Sequence, residues 1–243
     1  MPHPTHAATQ PLQAVLFDFD GTLSRLTIDF TRMRRKVAAL AEAFLGEQPA
    51  PSELPILEWM DELALEIDEF DPELGLQFKS RGRMVIVATE LDAAREAELF
   101  PFTRPLLTAL AQAEIKTGII TRNSTAAVKV VFPDVERCCN AFVAREDTPR
   151  VKPHPDHALT VLARLGIAPE RAVLVGDHPL DVETARRAGI YSAAVVSGHA
   201  GRAELANAAP DWLADDCMEL MTQLIHDGVL PIIPCFPTVG GDR

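Results

Sequence analysis

The sequence is poor in aromatic side chains, at 6%, and has only four cysteines among its 243 residues. Those four, Cys138, Cys139, Cys217 and Cys235, match no common zinc-ligand spacing and no dense disulfide framework, so a reducing cytoplasm is the expected setting. No run of about 18 apolar residues is present, which excludes a helical membrane span. The opening MPHPTHAATQP has neither the basic nor the apolar region of a signal peptide and reads as a mobile polar tail, in which His3 and His6 are incidental. Positive charge is also short: 23 Lys and Arg stand against 35 Asp and Glu, a net charge of −12. That balance argues against a general nucleic-acid or anionic-membrane surface. Much of the acidic excess lies between Glu53 and Glu73. No repeat of fixed period is visible.

What is present is an apolar share of 47%, enough for a sizeable core. Short apolar runs alternate with helical patterns from residue 12 onward. Strands are expected at Gln13–Phe17, Lys116–Ile120, Ala141–Ala144, Ala172–Val175 and Tyr191–Val196. Between them, helices are expected at Pro105–Ala113, Ser124–Val131, Pro155–Leu165, Leu180–Ala188 and Arg202–Ala208, with Gly166 and Gly189 as C-caps. This is the α/β pattern of a Rossmann-like parallel sheet. The rhythm breaks between Arg25 and Leu99, where Thr31–Phe44, Leu54–Phe70 and Met84–Leu99 carry helical periodicity, separated by QPAPSELP and KSRGR. Val37, Leu40, Phe44, Leu57, Leu63 and Ile67 suffice to core a bundle of three or four helices. The expected division is a core of 12–24 and 100–228, an all-helical insert at 25–99, and tails at 1–11 and 231–243.

The first strand ends in FDFDGTL, which sets Asp18 and Asp20 side by side. Two apart in an extended segment, both carboxylates point the same way. They repel unless a cation lies between them or one holds a proton. A solvated DxDG turn is the plain alternative. Three more polar clusters fall at strand ends or helix starts: Thr121 with Arg122, Asn123 and Ser124; Lys152 in Val151-Lys152-Pro153; and Asp177 with Asp181 in GDHPLD. Parallel strand ends converge on one sheet edge, so these groups can meet. Carboxylates, an ammonium and a hydroxyl together make a divalent-cation site beside a phosphate site.

In order along the chain, FDFDGTL, GIITRNS, RVKPHP and VGDHPLDVETARRAG resemble the four motifs of the haloacid dehalogenase superfamily, over residues 13 to 225. The resemblance implies a HAD-like core and a phosphoric monoester hydrolase. It casts Asp18 as the nucleophile that forms an aspartyl-phosphate, with Asp18, Asp177 and the backbone carbonyl of Asp20 holding Mg²⁺. The Asp20 side chain becomes the general acid and then the base, which requires a proton near neutral pH. Family members with tyrosine there act on carbon–halogen bonds, so Asp20 argues for phosphoryl transfer. Thr121, with the Arg122 N–H at a helix start, is expected to bind a phosphoryl oxygen, unless it serves only as an N-cap. Lys152 is expected to bind and neutralise the phosphoryl group and keep Asp18 ionised, the alternative being a surface lysine. Asp181 is placed behind it, fixing a metal-bound water or Lys152. Arg122 replaces the family's usual small or amide residue, and its reach to substrate or to a surface carboxylate stays open. His154, His157 and His178 are read as loop or capping residues rather than ligands of a hard cation.

The insert resembles a helical C1-type cap, which in this family closes over the site and selects the substrate. Arg25, Arg32, Arg34, Arg35, Lys79, Arg81 and Arg83 are its candidate anion contacts, with KSRGR read as a loop bending toward the site. The stretch from Val175 to Leu205 is similar to phosphoglycolate-phosphatase-like members, which implies a small phosphorylated metabolite, phosphoglycolate being one candidate. A phosphomutase or phosphotransferase on a phosphosugar, and a non-catalytic binding protein on the same scaffold, are the alternatives.

Overall fold

A computed structural model describes residues 10–25 and 28–233. The chain divides into two compact units, one formed by Met1–Leu26 with Ala97–Arg243 and the other by Thr27–Glu96.

The larger unit is built on a six-stranded sheet: β1 (Ala14–Phe17), β2 (Lys116–Ile120), β3 (Ala141–Val143), β4 (Ala172–Gly176), β5 (Tyr191–Val195) and β6 (Trp212–Ala214). Their order is β3-β2-β1-β4-β5-β6, and every pairing is parallel. In β1, Val15 and Phe17 enter one apolar cluster while Ala14 and Leu16 enter another; in β4, Val173 and Val175 share the first and Ala172 and Leu174 the second. Both sheet faces are thus buried, which is why these strands read as continuous apolar runs rather than alternating ones. β1 lies between β2 and β4, with Leu16 in register with Gly118 on one side and Leu174 on the other. Chain crossovers diverge on either side of β1, so its carboxyl end opens on the crevice of the sheet.

In chain order the helices are α1 (Phe30–Leu45), α2 (Ile56–Asp68), α3 (Pro72–Ala94), α4 (Thr103–Gln112), α5 (Thr125–Val131), α6 (Val135–Cys138), α7 (Asp156–Leu165), α8 (Pro179–Ala188), α9 (Arg202–Asn207) and α10 (Cys217–His226). Gly166 and Gly189 end α7 and α8 in the left-handed conformation, as expected. β6 and α10 complete the core beyond the last expected helix; Leu220, Met221 and Leu224 of α10 are fully buried. The expected tails at 1–11 and 231–243 lie mostly outside the described residues. Within them Ile233 is buried in the core, so the packed chain extends past 228. Among the described residues no helix is long and apolar enough to cross a membrane.

The smaller unit is α1, α2 and α3. Met33, Val37 and Ala41 of α1, Trp59, Met60, Leu63, Ala64 and Ile67 of α2, and Phe78 and Ile86 of α3 form its core. One expectation is corrected: KSRGR is not a loop but the middle of α3, which starts at Pro72 with Asp71 as N-cap, its carboxylate accepting from Glu73 N at 2.8 Å. A Cβ on Gly82 would lie 2.7 Å from Met60 Sδ. The glycine therefore serves close packing of α3 on α2 rather than a bend.

Candidate active site

Asp18 directly follows β1 and is fixed by its own N–H, which donates to Val175 O of β4 at 2.8 Å. Asp18 Oδ1 accepts from Phe19 N at 2.7 Å and from Lys152 Nζ at 2.8 Å. The same ammonium donates to Asp181 Oδ1 at 2.6 Å. Lys152 comes from the loop between β3 and α7, and Asp181 from the first turn of α8, where its Oδ2 accepts from His178 N at 3.2 Å. Far from being a surface lysine, Lys152 is 2% exposed, and Asp181 is 1% exposed. Burial alone would lower the Lys152 pKa, but the facing Asp18 and Asp181 outweigh it and raise it, so the group stays an ammonium.

Asp177 follows β4 within reach of this pair. One oxygen from each of Asp18, Asp177 and Asp181 fits inside a 4.8 Å cluster. Asp177 receives neutral donors, His199 N at 2.8 Å and the Thr22 hydroxyl at 3.4 Å. Gly198 and Gly21 make room for it: a Cβ on either would lie 1.9 Å or 2.4 Å from Asp177 Oδ2, and Gly21 also adopts φ +83°. Burial pushes Asp18 up to about 6 against the pull of Lys152. Burial, and then the Asp18 charge, push Asp177 up to about 6 as well. Burial likewise raises Asp181.

Thr121 follows β2. Its hydroxyl lies 3.4 Å from Asp20 Oδ2, which also accepts from Asn123 Nδ2 at 3.1 Å. Asn123 N returns to Thr121 Oγ1 at 3.0 Å. The N-cap alternative for Thr121 does not hold: α5 begins at Thr125, and Ser124 is its cap, accepting from Ala127 N at 3.3 Å. For the same reason the Arg122 N–H is in the preceding turn and not at a helix start. The Arg122 guanidinium donates to Lys152 O, and Arg145 in turn donates to Arg122 O at 3.1 Å.

Six residues picked from the sequence, Asp18, Asp20, Thr121, Lys152, Asp177 and Asp181, therefore converge at the carboxyl edge of β1, β2 and β4. A haloacid dehalogenase-like hydrolase model matches residues 12–189. The chain belongs to the haloacid dehalogenase-like hydrolases. A haloacid dehalogenase-like hydrolase domain-containing protein of Arabidopsis thaliana is 29% identical over 77% of this chain and 72% of its own. A phosphoglycolate phosphatase of Xanthomonas campestris is 26% identical over 90% of this chain and 97% of its own. Among solved structures, a HAD family hydrolase from Deinococcus radiodurans, with bound phosphate and sodium, superposes with a TM-score of 0.58 at 22% identity, covering 91% of this chain and 98% of that one.

The donor set of this hydrolase fits Mg²⁺. Three buried carboxylates face a single ammonium, an excess of negative charge that is unfavourable in a low-dielectric site without a cation, and all the donors are oxygens. Lys152 already neutralises Asp181, so Asp18 and Asp177 are the side chains with charge left for a metal.

Asn123, expected only as a member of the polar cluster after β2, holds the Asp20 carboxylate, and His157, expected as a loop or capping residue, lies instead in α7, fully buried against the Lys152 loop. Lys152 N donates to His157 Nδ1 at 3.2 Å, so Nε2 carries the proton and donates to Val143 O at 3.1 Å. Burial, reinforced by the Lys152 charge, pushes His157 down to about 3 and keeps the ring neutral. Asn123 sits inside the quoted GIITRNS motif and carried that signal; a histidine five residues after Lys152 carried none. His178 acts as the expected cap, its Nδ1 accepting from Leu180 N at 3.1 Å.

Several basic candidates of the insert are occupied within their own unit. Arg34 donates to Leu54 O at 2.6 Å and to Ser52 O, and stacks over Trp59. Lys79 pairs with Asp61 at 2.6 Å, and Arg81 lies over Phe44. Arg25 belongs to the larger unit, over Phe100. Arg32, Arg35 and Arg83 are exposed.

Proposed function

We propose that this hydrolase is a Mg²⁺-dependent phosphomonoesterase that works through an aspartyl-phosphate on Asp18. The observation that carries the reading is the Lys152 ammonium held between Asp18 and Asp181, with the Asp177 carboxylate in the same cluster. Asp18 and Asp177 would hold the cation with the Asp20 backbone carbonyl, and Asp181 would stand behind them. When bound, Mg²⁺ screens the approach of one anion to another and draws charge from the phosphoryl oxygens.

The residues then divide the work. An Asp18 oxygen attacks phosphorus while the ester P–O bond breaks, and Asp20 gives its proton to the departing alkoxide. Asp20, now a carboxylate steered by Asn123, takes a proton from water, whose oxygen attacks the same phosphorus. Inorganic phosphate leaves and Asp18 is regenerated. Lys152 and the Thr121 hydroxyl stabilise the phosphoryl oxygens where charge accumulates. The insert acts as a C1-type cap that selects a small phosphorylated metabolite, with phosphoglycolate as the leading candidate because a full-length relative bears that name. Cys138, Cys139 and Cys217 are free thiols, in keeping with a cytoplasmic setting.

The test is a Mg²⁺ activity panel of phosphorylated acids, sugars and nucleotides, comparing kcat/KM and assaying free phosphate. Phosphate release in step with substrate loss supports a hydrolase. Transfer of the phosphoryl group to a second hydroxyl without release would make it a mutase or phosphotransferase, and inertness toward the whole panel would make it a binding protein.

A further inference from the structure

Lys152 is held by four partners, two on its ammonium and two on its backbone. The ammonium meets Asp18 and Asp181. The backbone N–H is taken by His157 Nδ1, and the backbone carbonyl by the Arg122 guanidinium. Each of these two side chains is also tied to a strand end. His157 Nε2 donates to Val143 O at the end of β3, and Arg122 follows Thr121, the first residue beyond β2. The lysine is in an irregular loop, where the backbone has no ladder of its own to fix it. Its ammonium nonetheless has to stay within hydrogen-bond reach of two carboxylates carried by separate elements.

We propose that Arg122 and His157 form a backbone clamp that positions Lys152, so that Arg122 serves the reaction through the lysine rather than by binding substrate. The inference rests on the reading of Lys152 as the charge partner of the transferring phosphoryl group. It accounts for two otherwise unexplained choices. A neutral imidazole accepts from the Lys152 N–H at one ring nitrogen and donates to the Val143 carbonyl from the other, bridging loop and strand. A guanidinium at position 122 supplies a fixed fork of donors where a small residue would supply none.

The clamp is tested with the full chain and Mg²⁺ on para-nitrophenyl phosphate, comparing His157→Leu, His157→Asn, Arg122→Met and Lys152→Ala for kcat, KM and melting temperature. A misplacement of about 1 Å is worth about 10²-fold in rate, so His157→Leu and Arg122→Met are expected to lower kcat by about that factor with KM little changed. His157→Asn keeps an acceptor for Lys152 N and a donor on the same group, and is expected to recover most of kcat. Wild-type kcat in Arg122→Met, or a His157→Asn enzyme no better than His157→Leu, overturns the clamp while an inactive Lys152→Ala leaves the function standing. Arg122→Met raising KM with kcat intact would make Arg122 a substrate contact and also overturn it. Full activity in Lys152→Ala would overturn both. Should His157→Leu fail to fold, Arg122→Met, at a half-buried position, decides the matter.

Discussion

Lys152 Nζ lies 2.6 Å from Asp181 Oδ1, and neither side chain is more than 2% exposed. A buried pair of this kind neutralises itself, and the ammonium's second contact, with Asp18 Oδ1, ties that pair to the proposed nucleophile. Lys152→Met would leave Asp18, Asp177 and Asp181 facing one another without a cation. Removing one partner of a buried pair typically costs about 3–5 kcal/mol, and urea unfolding of the Mg²⁺-free variant at neutral pH is expected to show a loss of that order. Adding Asp181→Asn should recover part of it. Unchanged stability would mean that Lys152 is not the counter-charge.

The raised pKa values set a pH dependence of stability for the protein stripped of metal. Asp18 and Asp177 titrate at about 6 when folded and near 3.8 when unfolded, so between those values the folded state binds more protons. Their contribution to stability is greatest below about pH 4 and is lost as pH rises through about 6. Melting temperatures of wild type and Asp177→Asn, compared at pH 5 and pH 7, check this. The wild type should lose more on going to pH 7, and Mg²⁺ should restore that loss. Parallel curves for the two proteins would refute it.

Gly198→Ala tests the shape of the proposed metal site without replacing a ligand. The added methyl must displace the Asp177 carboxylate, whose Oδ2 lies 1.9 Å away. Half-maximal activity should need at least about tenfold more Mg²⁺, by the usual effect of disturbing a ligand's support. The circular dichroism spectrum should be that of the wild type. An unaltered Mg²⁺ requirement would argue that Asp177 does not hold the ion.

Most of this site was legible because its residues sit at fixed offsets from strand ends. Asp18 after AVLF, Thr121 after KTGII and Asp177 after AVLVG each mark where a buried apolar run meets the sheet edge, and a parallel sheet brings such edges together. The insert was harder to read. In α3 the inward positions Gly75, Phe78, Gly82, Ile86 and Thr89 keep a helical spacing, but two are glycines and one is threonine. Apolar periodicity fades there, and KSRGR imitates a loop. β6 is only three residues long, too short to show a period. The parts played by His157, expected as a loop or capping residue, and by Arg122, expected as a substrate contact or surface ion pair, were not legible because their partners are the Lys152 backbone N–H and carbonyl, which leave no trace in residue identity.

Asp20→Asn separates the second carboxylate from the first. Asparagine keeps the size of the group that meets Thr121 and Asn123 but can neither give nor take the proton. Loss of general acid–base catalysis is worth about 10²–10⁴-fold, and kcat on a metabolite ester with a poor leaving group should fall by that factor. An aryl phosphate, whose leaving group needs no proton, should suffer less in the first step. Equal losses on both substrates in that first step, followed as leaving-group release in a single turnover, would assign Asp20 to holding the site together rather than to proton transfer.

The covalent intermediate is the central claim, and it can be trapped. The enzyme is mixed with Mg²⁺ and a substrate carrying a radiolabelled phosphoryl group, quenched in acid within the first turnovers, and digested for mass spectrometry. The label is expected on the peptide containing Asp18, in an acyl-phosphate that hydroxylamine releases, and is expected to be absent from Asp18→Asn, which should also have lost turnover. Steady release of phosphate with no label on the protein, or normal turnover by Asp18→Asn, would contradict the mechanism.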